Sequence, residues 1–192
     1  MNAPFFLASQ SPRRRQLLSE AGYRFEPLRA EVAEQVAAGE SGLAYVRRIV
    51  ADKLVAARAA APDARPALVA DTEVLLDDLA LGKPADAAAA AAMLRRLSGR
   101  RHQVITRVAL ATAERSEAVE TLTEIDFAPL SEPQIARYCA SGEPLGKAGS
   151  YAIQGAAAGF IRELRGSYSG VIGLPVPETA ALLAAFGIEP DA

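Results

Sequence analysis

The sequence predicts a mixed α/β (α+β) fold. Apolar runs of strand length alternate with segments of helical periodicity through the whole chain, and capping residues mark the helical starts. No internal repeat, long linker or apolar run near the ~20 residues of a membrane span breaks the alternation. At 192 residues the expectation is one domain over residues 1–192, with two lobes about a cleft as one form of it. A chain of this size buries well over half of the surface its unfolded form exposes, so it folds without disulfide or metal staples.

Phe5–Ala8 reads as a short buried strand. It runs into Ser9-Gln10-Ser11-Pro12-Arg13-Arg14-Arg15, where Ser11 suits an N-cap, Pro12 the first helical position and Gly22 the C′ position of a first helix. Ser41 caps a second helix to about Ala60, with Leu43, Val46, Ile49, Val50 and Leu54 at helical spacing, and Pro62–Pro66 ends it. Ala67–Ala70 is strand-like and leads into Asp71-Thr72, after which Glu73–Leu76 resumes as a strand. Asp86 caps a third helix, Ala87 to Leu97, closed by Ser98-Gly99. His102–Thr112 and Val119–Phe127 read as two strands about a polar turn, and Ser131 opens a helix to about Ala140. A Gly/Pro-rich loop from Gly142 to Gly149 precedes strands near Tyr151–Gln154 and Gly159–Leu164, and Pro177–Phe186 is the last helix, closed by Gly187.

Composition removes several function classes. With 21 basic and 23 acidic residues the formal charge is −2, which argues against a general nucleic-acid or membrane-surface binder but not against a local basic pocket. Cys139 is the one cysteine and His102 the one histidine, so disulfide frameworks and sites of several cysteines or histidines are excluded within the chain. A divalent ion would be held by carboxylates, water and substrate oxygens, which suits Mg²⁺ or Mn²⁺ better than Zn²⁺. Met1 leads into a brief apolar stretch with no basic region before it, so a soluble, cytoplasmic protein is expected. Lys53, Lys83 and Lys147 are the only lysines among the 21 basic residues, and they stand where a compact ammonium could be needed in place of a guanidinium.

Few constellations can carry chemistry. A Ser-His-Asp triad would need His102 at a strand start, and Gly166-Ser167-Tyr168-Ser169-Gly170 places tyrosine where a nucleophile elbow has serine. Cys139, among helix residues, reads as an inert cysteine. Gly142-Glu143-Pro144-Leu145-Gly146-Lys147-Ala148 misses a Walker A loop by one residue between the glycines and by its Ser/Thr. Two pieces remain. The Ser9–Arg15 turn offers hydroxyls, helix-terminal N–H groups and guanidiniums, and three arginines in a first turn oppose the helix dipole unless an anion joins them. Arg15 is the most surface-like of the three. Asp71, at the carboxyl end of an apolar strand, stands where open α/β sheets commonly place ligands, and Lys83 brings another cation. A cationic turn with an isolated carboxylate suggests metal-assisted phosphate-ester or nucleotide chemistry.

The same segments resemble the Maf (septum-formation inhibitor) family of nucleoside triphosphate pyrophosphatases. The likeness runs through Leu7-Ala8-Ser9-Gln10-Ser11-Pro12-Arg13-Arg14, Ala70-Asp71-Thr72-Glu73-Val74, Gly82-Lys83-Pro84, and Met93-Leu94 to Thr106. It continues in Lys147-Ala148-Gly149-Ser150-Tyr151-Ala152-Ile153-Gln154-Gly155 and in Gly166-Ser167-Tyr168 with Val171-Ile172-Gly173-Leu174-Pro175, and covers about residues 5–187. The resemblance implies an elongated mixed sheet flanked by helices around a central cleft, as in the inosine triphosphate pyrophosphatases. It implies hydrolysis of nucleoside triphosphates to monophosphate and pyrophosphate with a divalent metal (Mg²⁺ or Mn²⁺), a house-cleaning role with a link to cell-division arrest, and a homodimer. By motif, Asp71 becomes the proton acceptor, Ser9, Arg13, Arg14, Lys53 and Lys83 phosphate-side residues, and Glu34 a metal or water ligand alongside Asp71.

Arg13, Thr72 and Gln154 resemble the dTTP/UTP branch of that family; another branch, preferring 7-methylguanosine triphosphate, carries an aromatic, Asp-Gln and a different late loop. An amide such as Gln154 can match the carbonyl and N–H edge of a pyrimidine, and Thr72 would limit the pocket beside Asp71. Glu73 and Ser150 depart from the usual apolar residue and alanine. The alternatives are a 7-methylguanosine triphosphate pyrophosphatase and a non-catalytic, nucleotide-sensing regulator of septum formation, though a sensor has no need of a base at Asp71.

Overall fold

In the computed structural model, residues 4–191 are described. Seven strands form one mixed sheet: β1 (Phe6–Leu7), β2 (Glu26–Pro27), β3 (Ala67–Leu76), β4 (Leu79–Ala80), β5 (Arg101–Ala111), β6 (Ser116–Phe127) and β7 (Ile161–Arg165). Their order is β2-β1-β3-β5-β6-β7, with β4 on β3. The β1 pairings are parallel and the others antiparallel. Six α-helices flank the sheet: α1 (Pro12–Glu20), α2 (Gly42–Ala60), α3 (Ala87–Leu97), α4 (Glu132–Ala140), α5 (Tyr168–Ile172) and α6 (Val176–Ala185). The sequence-predicted caps hold: the Ser11, Ser41 and Asp86 side chains accept from the backbone N–H groups of Arg14, Ala44 and Ala89. No helix among the described residues is long and apolar enough to cross a membrane.

Strand alternation divides the core. Ala67 and Val69 face α2 and pack with Val46, Ile49 and Val50. Leu68 and Ala70 face the other way, onto Leu18 of α1 and Leu182 and Leu183 of α6. A third cluster gathers Leu94 and Leu97 of α3, Ile135 and Tyr138 of α4, and Phe127, Tyr151 and Phe160.

Two departures from the sequence reading shape the site. β3 is unbroken from Ala67 to Leu76, so Asp71 lies inside a strand and not at its carboxyl end. Its ladder with β5 continues through Asp71↔Arg107 and Thr72↔Thr106, which offsets the weak strand preference of Asp71. On its other edge β3 pairs with β1 only at Ala67 and Leu68, and with β4 only at Leu75 and Leu76. The edge between is uncovered, and the carboxyl-end geometry expected of β3 is supplied by the short β1 instead.

The second departure lies at Tyr151–Gln154, which form no strand. The N–H of Ala152 is taken by the Tyr138 hydroxyl at 3.1 Å, Gly155 N bonds back to Ala152 O, and a 3₁₀ turn fills Ala156–Phe160. β7 therefore starts only at Ile161. The sequence reading also missed β2, β4 and α5, each of five residues or fewer. The β3–β4 turn rests on Asp77 and Asp78 at φ 54° and 62°.

Candidate active site

The uncovered edge of β3 opens into a cleft of about 830 Å³ lined by the Ser9–Arg14 turn, Glu34, Lys53, Asp71, Thr72, Lys83 and the 146–154 loop. All the sequence-predicted site residues line it. Because neighbouring side chains of a strand point to opposite faces, Asp71 and Thr72 flank this edge from two sides.

On the α2 face, Lys53 reaches from the middle of its helix and places Nζ 2.6 Å from Asp71 Oδ1 and 2.6 Å from Glu34 Oε1. Lys83 Nζ lies 3.1 Å from Glu34 Oε2. Burial works to raise the Glu34 pKa, but hydrogen bonds and charge from Lys53 and Lys83 prevail and hold it at about 2. Two carboxylates thus converge on one cation. Glu73, in step with Asp71, is buried; burial, reinforced by the Asp71 charge, pushes its pKa up to about 7 against the N–H of Val74. Its Oε1 also accepts from Gly82 N at 3.1 Å, which ties the turn carrying Lys83 to β3.

On the other face, the Ser9–Arg15 turn is organised by its own side chains. Ser9 Oγ accepts from Ser11 N at 3.3 Å, and Ser9 O accepts from Arg15 Nε and Nη2 at 3.3 and 3.1 Å. Arg15 is exposed, as read from the sequence, and from the surface it also braces the turn. Arg14 donates to Gly173 O, Thr72 Oγ1 and Ser9 Oγ, all neutral acceptors. Burial lowers the pKa of both Arg13 and Arg14, and for Arg14 the charges of Asp71 and Glu34 oppose that shift. Neither arginine has a carboxylate ion pair among the described residues, so both charges stay available to an anion in the cleft. The Thr72 hydroxyl is turned to Arg14 and Thr106, while the residue lines the cleft next to Asp71.

The far wall is the loop after α4. Gly149, at φ 65°, packs where an added Cβ would come within 2.7 Å of Val74, and Gly149 N bonds to Gly82 O, joining this loop to the Lys83 turn. Gln154 is exposed on the loop, and its side chain has no hydrogen-bond partner among the described residues. Glu143, unnoticed in the sequence, clasps the loop by accepting from Tyr138 Oη at 2.8 Å and Ala156 N at 3.2 Å. Its only sequence signal was its place in the Gly142–Gly149 segment. Lys147 also lines the cleft. His102 stands outside: its Nε2 pairs with Tyr151 Oη at 2.8 Å, and burial depresses its pKa to about 4. Cys139 is a free thiol on α4 whose pKa burial raises.

A divalent ion would find only oxygen ligands here. No group of three or more His, Cys, Asp or Glu side chains is arranged for a metal among the described residues. Asp71 and Glu34 nevertheless already share a cation at hydrogen-bond distance, and paired carboxylates with room for phosphate and water oxygens fit a hard ion.

Fold and cleft together define a mixed α/β protein that presents a carboxylate beside unpaired guanidiniums, the arrangement of a polyanion-binding site. The chain belongs to the family described as Maf-like protein, whose model matches residues 4–186. A dTTP/UTP pyrophosphatase of Xanthomonas euvesicatoria pv. vesicatoria is 51% identical over 187 residues, covering 95% of this chain and 98% of that one. Those of Ralstonia nicotianae (52% identical, 93% and 92% covered) and Cupriavidus metallidurans (48%, 98% and 99%) are similarly alike. Among solved structures, a nucleoside-triphosphatase/dITP/XTP pyrophosphatase of Mycobacterium abscessus shares 19% identity over 66% of this chain and 75% of that one, with a TM-score of 0.40.

Proposed function

We propose that the protein hydrolyses dTTP and UTP to the nucleoside monophosphate and pyrophosphate. The observation that carries this reading is the pair of guanidiniums, Arg13 and Arg14, held without carboxylate partners across the uncovered β3 edge from Asp71. The names of relatives with about half of their residues identical support the same substrates.

In this reading Arg13, Arg14 and the Ser9 turn hold the triphosphate, while Lys53 and Lys83 neutralise it from the α2 side. An incoming polyphosphate competes with Asp71 and Glu34 for those ammonium groups, and Asp71 is thereby freed to take a proton from water. Water then attacks the α-phosphorus, the bond from that phosphorus to the α–β bridging oxygen breaks, and pyrophosphate leaves with the bond pair. Asp71 and Glu34 would hold the divalent ion, which when bound supplies charge neutralisation at the phosphates and a more acidic water. Gln154 reads the pyrimidine edge. The protein works as a homodimer, which light scattering tests.

The test is a Mg²⁺-supplemented panel of nucleoside triphosphates with product identification. dTTP and UTP should give monophosphate and pyrophosphate in one step. Orthophosphate as the first product would mean attack at the γ-phosphorus, and binding without turnover would favour a nucleotide sensor.

A further inference from the structure

We propose that Thr106, a β5 residue that does not line the cleft, is the positioning residue for the Arg14 guanidinium. The proposal deepens the reading of Arg14 as a phosphate ligand and rests on it.

Thr106 is 1% exposed, and its Oγ1 lies 2.7 Å from Gly170 O and 2.9 Å from Thr72 Oγ1. A hydroxyl has one proton to give. A carbonyl can only accept, so the Thr106 proton is committed to Gly170 O. The proton between the two threonines must then come from Thr72. Thr72 Oγ1 in turn accepts from Arg14 Nη2 at 3.0 Å. Donor counting therefore fixes the direction of the whole chain: Arg14 to Thr72 to Thr106 to Gly170 O.

The chain closes on itself. Gly170 lies in the middle of α5 and Gly173 at its C-cap, joined by Gly173 N to Gly170 O at 2.9 Å. Gly173, at φ 136°, directs its own carbonyl back to Arg14 Nε at 2.7 Å. That φ belongs to glycine, so the returning contact depends on residue type. The guanidinium is thus oriented on two sides by neutral groups that leave its charge uncompensated. Without the Thr106 hydroxyl, the acceptor left to the Thr72 proton is Gly173 O, now 3.4 Å away and already bound to Arg14 Nε. Thr72 would compete with Arg14 for one carbonyl, and the guanidinium would lose its fixed plane.

The experiment measures Mg²⁺-tripolyphosphate affinity by calorimetry and kcat/KM for dTTP, in a cycle of Thr106→Val, Arg14→Ala and the double variant, with Thr106→Ser as rescue. Loss of one neutral hydrogen bond predicts roughly fivefold to tenfold weaker tripolyphosphate binding in Thr106→Val, a comparable fall in kcat/KM, and recovery to within about twofold in Thr106→Ser. In the Arg14→Ala background Thr106→Val should change nothing further, because it acts through that arginine. Additive losses, wild-type affinity in Thr106→Val, or no rescue by serine would overturn the proposal. Should Thr106→Val fold poorly, Thr106→Ala takes its place in the cycle, with the same loss, the same dependence on Arg14 and the same recovery in Thr106→Ser expected. Tripolyphosphate binding that follows the cycle without any turnover of dTTP would sink the pyrophosphatase reading and leave Thr106 in its role. A wild-type protein that binds no tripolyphosphate would overturn both.

Discussion

Lys53 and Asp71 are joined by a 2.6 Å contact that ties the middle of α2 to the middle of β3. The pair is largely shielded from solvent, with 15% and 13% of the two side chains exposed, and the same ammonium holds Glu34. The resting site is a carboxylate–ammonium–carboxylate bridge, and under the proposed function a polyphosphate competes with it for Lys53.

Asp71→Asn keeps the shape but removes the charge and the base. Turnover of dTTP should fall by ~10²-fold or more while nucleotide binding persists. Steady-state kinetics with a separate binding titration checks this; a variant keeping more than about a tenth of kcat contradicts the role.

Lys53→Ala should cost roughly 1.5–3 kcal/mol in kcat/KM, the range of a charged hydrogen bond. It should also change the acid behaviour. Glu34 has its folded pKa depressed to about 2 from 4.5, so its stabilising share is present above the unfolded value and lost as pH falls through the folded one. Without Lys53 the folded value moves back towards the unfolded one, so the variant is less stable at neutral pH but loses less further stability as acid is added. Thermal melts between pH 2 and pH 6 should show a flatter acid limb in Lys53→Ala than in the wild type, and parallel limbs would refute the coupling.

Arg13→Ala and Arg14→Ala should each lose roughly 1.5–3 kcal/mol of transition-state stabilisation. Arg15→Ala removes the brace on Ser9 O and should show a smaller loss, about 0.5–1.5 kcal/mol, mainly in KM. Equal losses at all three would mean that Arg15 too reaches the substrate.

Gln154→Ala should lower kcat/KM for dTTP and UTP far more than for purine triphosphates, since a wrong base leaves polar groups unpaired. The melting temperature should hardly change, because the side chain has no hydrogen-bond partner among the described residues. A uniform loss across nucleotides with a lower Tm would make it a loop tie instead.

His102 controls a separate pH response. Its folded pKa is depressed to about 4 from 6.5 by burial, so between those values the unfolded chain binds more protons. Stability should therefore fall as pH drops from 6.5 towards 4. His102→Phe should be less stable at pH 7.5, having orphaned the Tyr151 hydroxyl, yet flatter across that window. Parallel Tm profiles for the two proteins would show that another group carries the acid sensitivity.

Local chemistry made much of this protein legible in its sequence. Ser11-Pro12 could only open a helix well, Asp86 and Ser41 cap as read, and the Ser9 turn, singled out by its arginines against a helix dipole, lines the cleft. Motif likeness brought Lys53 and Glu34 to the same site, which no spacing along the chain would have done, since they lie on α2 and in a loop. What the tertiary structure alone decided was pairing across the sheet. Asp71 sits inside β3 because β5 continues past it, and it is reachable because β1 and β4 leave that edge bare. Thr72 serves Arg14 because strand alternation turns it away from Asp71, and the Arg14–Thr72–Thr106–Gly170 chain joins four elements distant in sequence. Sequence periodicity reports which face a residue takes; only packing decides what waits on that face.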